Sequence, residues 1–221
     1  ADISKSTYSC LFRDRYPDRY INCGIAEQNM LGIAAGLSTM GFIPVVMTYA
    51  VFASMRACEQ IRTAICYPGL NVKIFVSHGG VTPGSDGPTH QATEDLSLMR
   101  ALPGLCVIMP CGDIQTRQAV NAALAWPGPV YLRLTRCDMQ PVYDGSQALA
   151  IGRAITLKEG VDLTVIATGD LVLPALQACE QMEKEGLSIR LLNMHTIKPI
   201  DESAILMAAR ETGAIVTVED N

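Results

Sequence analysis

An α/β fold built on parallel sheets follows from three features of the 221-residue sequence. Short β-branched runs alternate with amphipathic stretches along the whole chain. The runs are apolar at consecutive positions, not at every second one, as strands covered by helices on both faces are. Helix-terminating residues fall between them. The predicted strands are Tyr20–Cys23, Ile43–Thr48, Val72–Ser77, Cys106–Pro110, Val130–Leu134, Leu163–Thr168, Ile189–Met194 and Ala214–Glu219. Helices are predicted over about 27–40, 52–67, 113–126, 173–185 and 201–212, where apolar residues recur at three- and four-residue spacing. Asp113 and Asp201 are candidate N-caps, Gly41, Gly186 and Gly213 stop helices, and Pro127-Gly128-Pro129 forbids continuation past Trp126.

From about Cys137 to Leu157 the periodicity is lost and Pro141, Gly145, Ser146 and Gly152 appear, which predicts a linker. The chain therefore divides into a first domain over 1–139, a linker over 140–154 and a second, smaller α/β domain over 155–221. Only three clear strands follow the linker, so the second domain reads as incomplete at Asn221.

Composition excludes several classes. With 49% hydrophobic and 18% charged residues the chain has enough apolar material to offset the entropy of ordering. A net charge of −5 and the lack of a basic run argue against nucleic acid as a partner. No apolar stretch approaches the about 20 residues of a membrane span, and no secretory leader opens the sequence, so a cytoplasmic protein with no membrane partner is expected. Eight cysteines include no CxxC pair and sit mostly in apolar segments, which predicts reduced core thiols and no metal-ligating set.

Two segments carry chemistry. The loop Ser77-His78-Gly79-Gly80-Val81-Thr82-Pro83-Gly84-Ser85-Asp86-Gly87-Pro88-Thr89-His90-Gln91 follows an apolar strand and holds two of the three histidines. Loops after strands are where α/β proteins place their ligand contacts. Its four glycines allow close backbone approach and its two prolines fix the chain, while two histidines and an aspartate supply functional groups. Upstream, Gly24-Ile25-Ala26-Glu27-Gln28-Asn29-Met30 leads into a helix, with Glu27 in its first turn. By charge alone, a carboxylate there simply complements the helix dipole, worth about 0.3–1 kcal/mol.

These two segments, Gly24 to Met30 and Asp86-Gly87-Pro88-Thr89-His90-Gln91, resemble the pyrimidine-binding domain of transketolases and their thiamine-diphosphate relatives. The resemblance covers about residues 1–139, and the remainder looks like the start of the transketolase C-terminal domain. It implies thiamine diphosphate as cofactor, with Glu27 as the catalytic carboxyl that hydrogen-bonds the pyrimidine N1′ and favours its imino tautomer. Burial would help such a group hold a proton. Tyr49 and Phe52 match aromatic positions lining the pyrimidine pocket, with Phe52 the stacking ring and Met55 a softer wall where many relatives carry an aromatic.

The same resemblance makes His78, Asp86 and His90 substrate-channel residues. His78 would face the sugar phosphate, Asp86 a donor hydroxyl, and His90, also catalytic, the carbonyl. Arg136 matches a phosphate-binding arginine and Ser6 a hydroxyl on the same phosphate. His195, outside these motifs, reads as structural.

The activity implied is transfer of a two-carbon ketol unit from a ketose phosphate to an aldose phosphate. No Gly-Asp-Gly followed by Asn is present, so the diphosphate and its Mg2+ would be held by a partner half, this chain resembling the C-terminal subunit of a split transketolase or a fragment of a single-chain enzyme. The expected partners are thus an N-terminal transketolase subunit or half carrying the diphosphate-binding domain, further copies of this chain and sugar phosphate substrates. A 1-deoxyxylulose-phosphate synthase, a 2-oxo acid dehydrogenase β subunit and a non-catalytic partner subunit are the alternatives.

Overall fold

The computed structural model describes residues 1–137, 141–143 and 145–220, in two compact units. One comprises residues 1–105 with 126–136, and the other residues 106–125 with 137–220. The predicted domain boundary at residues 139 and 140, and the chain end at Asn221, lie outside the described residues. The strands are β1 (Val45–Tyr49), β2 (Lys73–Ser77), β3 (Cys106–Ile108), β4 (Val130–Arg133), β5 (Ile155–Lys158), β6 (Leu163–Ala167), β7 (Ile189–Asn193), β8 (Thr196–Lys198) and β9 (Ile215–Val218). The helices are α1 (Cys10–Arg15), α2 (Glu27–Thr39), α3 (Cys58–Gln60), α4 (Asp95–Ala101), α5 (Gly112–Ala125), α6 (Val172–Lys184) and α7 (Glu202–Glu211).

In the first unit β2 pairs in parallel with β1 on one side and β4 on the other. The register sets Tyr49 beside Ser77 and Val76 beside Arg133, so the three strands end together. Everything that follows a strand, from Phe52 through the His78 to His90 loop to Arg136, therefore starts from one edge of the sheet. β4 is buried throughout and β2 is buried except at Ser77, as central strands covered on both faces are.

Helix α2 buries Glu27, Met30, Leu31, Ala34 and Ala35, positions i, i+3, i+4, i+7 and i+8. Glu27 is thus the first member of the core stripe and not a solvated end charge. The helix stops as expected, with Gly41 at φ 87° and its N–H donating to the Ser38 carbonyl. The predicted helix over 52–67 forms in three pieces, π-helical Phe52–Arg56, α3 and π-helical Ile61–Cys66.

The strand predicted at Tyr20–Cys23 does not form. Asn22 accepts from the Gly24 N–H through its side chain at 2.9 Å, and Gly24 lies at φ 72°. That local turn replaces strand pairing and aims the chain into α2.

In the second unit β7 pairs antiparallel with β5 and parallel with β6, which pairs in parallel with β9. β3 pairs antiparallel with β8. The predicted α/β architecture on parallel pairings is present, and β5 and β8, neither expected, add antiparallel pairings to it. Val172, Ala175 and Cys179 of α6 pack with Ile189 and Leu191 of β7 in this unit's core.

Asp201 caps α7, accepting from the Ala204 N–H at 3.0 Å, and also accepts from the Ala154 N–H at 2.9 Å. Asp113 is not an N-cap, since α5 already starts at Gly112; its side chain accepts from the adjacent Ile114 N–H. The eight cysteines are free thiols, and no helix among the described residues is long and apolar enough to cross a membrane.

His195, expected to be structural, is fully buried. Its Nδ1 lies 2.9 Å from the Thr196 hydroxyl, and its carbonyl accepts from the Met109 N–H. Burial pushes its pKa down to about 4 from 6.5. The unfolded chain takes up this proton near pH 6.5 and the folded chain only near pH 4, so stability present above pH 6.5 is lost as the pH falls towards 4. The expected loss is about 3 kcal/mol. His195→Leu should flatten that limb of a urea-midpoint profile against pH; an unchanged limb would count against the assignment.

Candidate active site

Glu27 opens α2 after Ala26, with its side chain 3% exposed, and Arg56 donates from Nη1 to Glu27 Oε2 at 2.9 Å. The Arg56 guanidinium lies over the Phe52 ring, 4.3 Å from its centroid. Phe52 and Arg56 are four residues apart on one helical segment, which places them on the same side. One cation therefore joins the buried acid to an aromatic face.

Beyond Phe52 the rings continue. Tyr49 stacks on His78 at 3.8 Å and on Phe52 at 5.7 Å, and His90 meets Phe52 edge-on at 5.4 Å. His78 is buried, in the left-handed region at φ 62°, with Nδ1 2.9 Å from the Ser77 hydroxyl. Burial lowers its pKa and the nearby Arg136 charge adds to this, so at neutral pH His78 is an uncharged imidazole able to donate or accept.

A cleft of about 540 Å3 adjoins these rings, lined by Ser6, Tyr49, His78, Asp86, Arg136 and Lys5. Arg136 donates to Asp86 Oδ2 at 2.6 Å and to the Pro83 carbonyl at 2.9 Å, tying the residue after β4 to the loop after β2. Lys5 and Arg136 give the cleft two cations against one carboxylate, a balance that suits an anionic substrate. Among the described residues no cluster of three or more His, Cys, Asp or Glu could hold a metal ion.

A buried ion pair lies beneath the loop. Arg133 and Asp95 are fully buried, and Arg133 Nε donates to Asp95 Oδ2 at 3.0 Å while Tyr131 donates to the same oxygen at 2.8 Å. Burial raises the Asp95 pKa, against the pull of Arg133 and Tyr131. Arg133 also reaches the Ala92 carbonyl at 3.4 Å, and Ala92 pairs with Gly80 through both backbone bonds. A Cβ on Gly79 would sit 2.3 Å from Arg133 Nε, so glycine is needed for the loop to cross this guanidinium. The two ends of the loop thus rest on one internal strut.

Of the residues singled out in the sequence, the cleft gathers Ser6, Tyr49, His78, Asp86 and Arg136. Glu27, Phe52 and His90 do not line it; Phe52 and His90 belong to the ring cluster and Glu27 to its far end through Arg56. Met55 is 56% exposed. Arg56, Lys5 and the Asp95–Arg133 pair were not foreseen. The signal for Arg133 was an arginine inside an otherwise apolar strand, which demands a buried partner. For Arg56 it was the four-residue spacing from Phe52.

Fold and site define an α/β chain with a cleft where parallel strands end. The transketolase pyrimidine-binding domain model matches residues 1–141 and the transketolase C-terminal domain model matches residues 152–221. The chain belongs to the transketolase family. It is 42% identical over 220 residues to a 6-deoxy-6-sulfo-D-fructose transketolase subunit of Clostridium sp. strain MSTE9, covering 100% of this chain and 68% of that one. With an apulose-4-phosphate transketolase subunit of Phocaeicola vulgatus it shares 40% over 211 residues, covering 95% and 68%. A solved structure described as a split-gene transketolase in an inactive β4 tetramer superposes with a TM-score of 0.90 at 47% identity, covering 99% of this chain and 71% of that one.

The strut should be stringent. Gly79→Ala is expected to destabilise the protein by about 1–3 kcal/mol, and Arg133→Leu, which strands Asp95, by about 3–5 kcal/mol. Urea unfolding checks both, and changes within about 0.5 kcal/mol, the range of ordinary surface substitutions, would contradict the role given to the pair.

Proposed function

We propose that this chain supplies the pyrimidine side of a thiamine-diphosphate-dependent transketolase, moving a two-carbon ketol unit from a ketose phosphate to an aldose phosphate. The observation that carries the reading is the burial of Glu27 in the first turn of α2, connected through Arg56 to the Phe52 ring. A buried carboxyl linked through one guanidinium to an aromatic face suits a flat, nitrogen-bearing ring, and a surface charge complementing a helix dipole would not be buried.

When bound, thiamine diphosphate supplies the carbanion chemistry that breaks and remakes the carbon–carbon bond. The residues of this chain do the rest. Glu27 shares a proton with the pyrimidine N1′, and Phe52 with Tyr49 presents the aromatic wall. His78, neutral at pH 7, and His90 offer imidazole nitrogens to the substrate oxygens, with Asp86 accepting from a hydroxyl. Arg136, with Ser6, takes the sugar phosphate at the cleft.

The pyrimidine-binding part spans 1–139 and the C-terminal part 155–221, joined by 140–154. The diphosphate and Mg2+ are held by an N-terminal subunit or half, so Glu27 acts across an interface. The chain spans about two-thirds of the relatives compared, and the solved relative described as an inactive β4 tetramer supports a half that self-associates without its partner.

The test is co-expression with a chain carrying Gly-Asp-Gly and the downstream Asn, then assay of coenzyme-dependent ketol transfer. Glu27→Gln should lower kcat by about 10²–10⁴-fold with the complex intact. Wild-type turnover in that variant would overturn the reading, and activity with pyruvate in place of the ketose would redirect it to deoxyxylulose-phosphate synthesis.

A further inference from the structure

Arg56 ends the π-helical segment Phe52–Arg56, and its backbone carbonyl is held by the Gln28 side-chain amide at 3.0 Å. Its side chain is 46% exposed, yet its head makes two specific contacts, with Glu27 Oε2 and with the face of Phe52. Both contact points are the ones that the proposed reading gives to the coenzyme's pyrimidine ring. A guanidinium is flat, cationic and rich in N–H donors, so it engages a carboxylate and an aromatic face as a protonated or imino aminopyrimidine would.

The two occupants are exclusive. His90 approaches Phe52 edge-on at 5.4 Å and Tyr49 stacks with it at 5.7 Å, while the guanidinium of Arg56 lies over the ring at 4.3 Å, where a further stacking ring would have to displace it. We propose that Arg56 is an internal occupant of the pyrimidine position, which fills it in the coenzyme-free chain and swings away when the coenzyme enters. This rests on Glu27 and Phe52 being the pyrimidine contacts.

The physical reason for such a device is the buried acid. Glu27 without a partner would be an uncompensated charge in the core of the free subunit, and Arg56 supplies the partner until the coenzyme does. Half of the Arg56 side chain already faces water, so its departure requires no repacking of the core. Arg56 is therefore a determinant of coenzyme affinity, opposing binding by the contacts it must give up.

The experiment uses the assembled two-chain complex with Mg2+ and titrates thiamine diphosphate by calorimetry. Co-purification of the partner verifies that each variant is folded. Arg56→Ala should tighten the dissociation constant by about 3- to 30-fold, and Arg56→Lys, which keeps a charge without a flat face, should fall between it and the wild type. Hydrogen–deuterium exchange at the coenzyme's reactive carbon is followed in Glu27→Gln alongside.

Slowed exchange in Glu27→Gln together with tighter binding in Arg56→Ala supports the inference. Slowed exchange with unchanged or weaker binding in Arg56→Ala overturns it and leaves the role of Glu27 standing. Exchange at the wild-type rate in Glu27→Gln removes the underlying reading, and the inference with it.

Discussion

Taking a carboxyl group out of water is expensive, and the first unit is organised around one that has been taken out. Glu27 begins the stripe that continues through Met30, Leu31, Ala34 and Ala35, so the packing of α2 fixes where the acid sits. An acid in a core stripe needs a donor, and Arg56 provides it from the segment after β1. The same guanidinium covers Phe52, whose ring leads through Tyr49 and His78 to the cleft. A substitution in the α2 stripe would move the acid, the cation and the rings together, although these come from elements far apart in the chain.

The parallel register of β1, β2 and β4 gives this group its location. Three strands that end in step deliver the loops that follow them to one edge, and each delivers a different chemistry. After β1 come aromatic rings and a cation, after β2 two imidazoles and a carboxylate, and after β4 a second arginine. The loop after β2 is glycine-rich and would be loose without support. The buried Asp95–Arg133 pair provides that support from below, through Gly79 and the Gly80–Ala92 pairing. Charge thus appears in two forms, locked inside the unit where it shapes the loop and half-exposed at the cleft where it can meet an anion.

Much of this was legible in the sequence. The apolar runs over Val72–Ser77 and Val130–Leu134 became β2 and β4 because strands buried on both faces leave an unbroken apolar signal. Asp201 was readable as a cap because its place before an amphipathic run admits few other uses. Tyr20–Cys23 misled, because the turn that Asn22 makes with Gly24 is a matter of side-chain competition that apolar content does not register. β5 and β8 are short and take their order from pairing with β7 and β3, partners distant in the chain. At the site, the motif residues stood out by type and spacing. Arg56 and the Asp95–Arg133 pair did not, since the pairings that matter, 29 and 38 residues apart, join positions distant in the chain.

Whether Glu27 meets the coenzyme ring can be read from the nitrogen-15 shift of labelled pyrimidine N1′ of thiamine diphosphate in the assembled complex. A ring nitrogen sharing a proton with a buried carboxyl resonates far from its position in the free coenzyme; that shift is expected in the wild type, with a return towards the free value in Glu27→Ala. An N1′ resonance indistinguishable between the two complexes would contradict that contact.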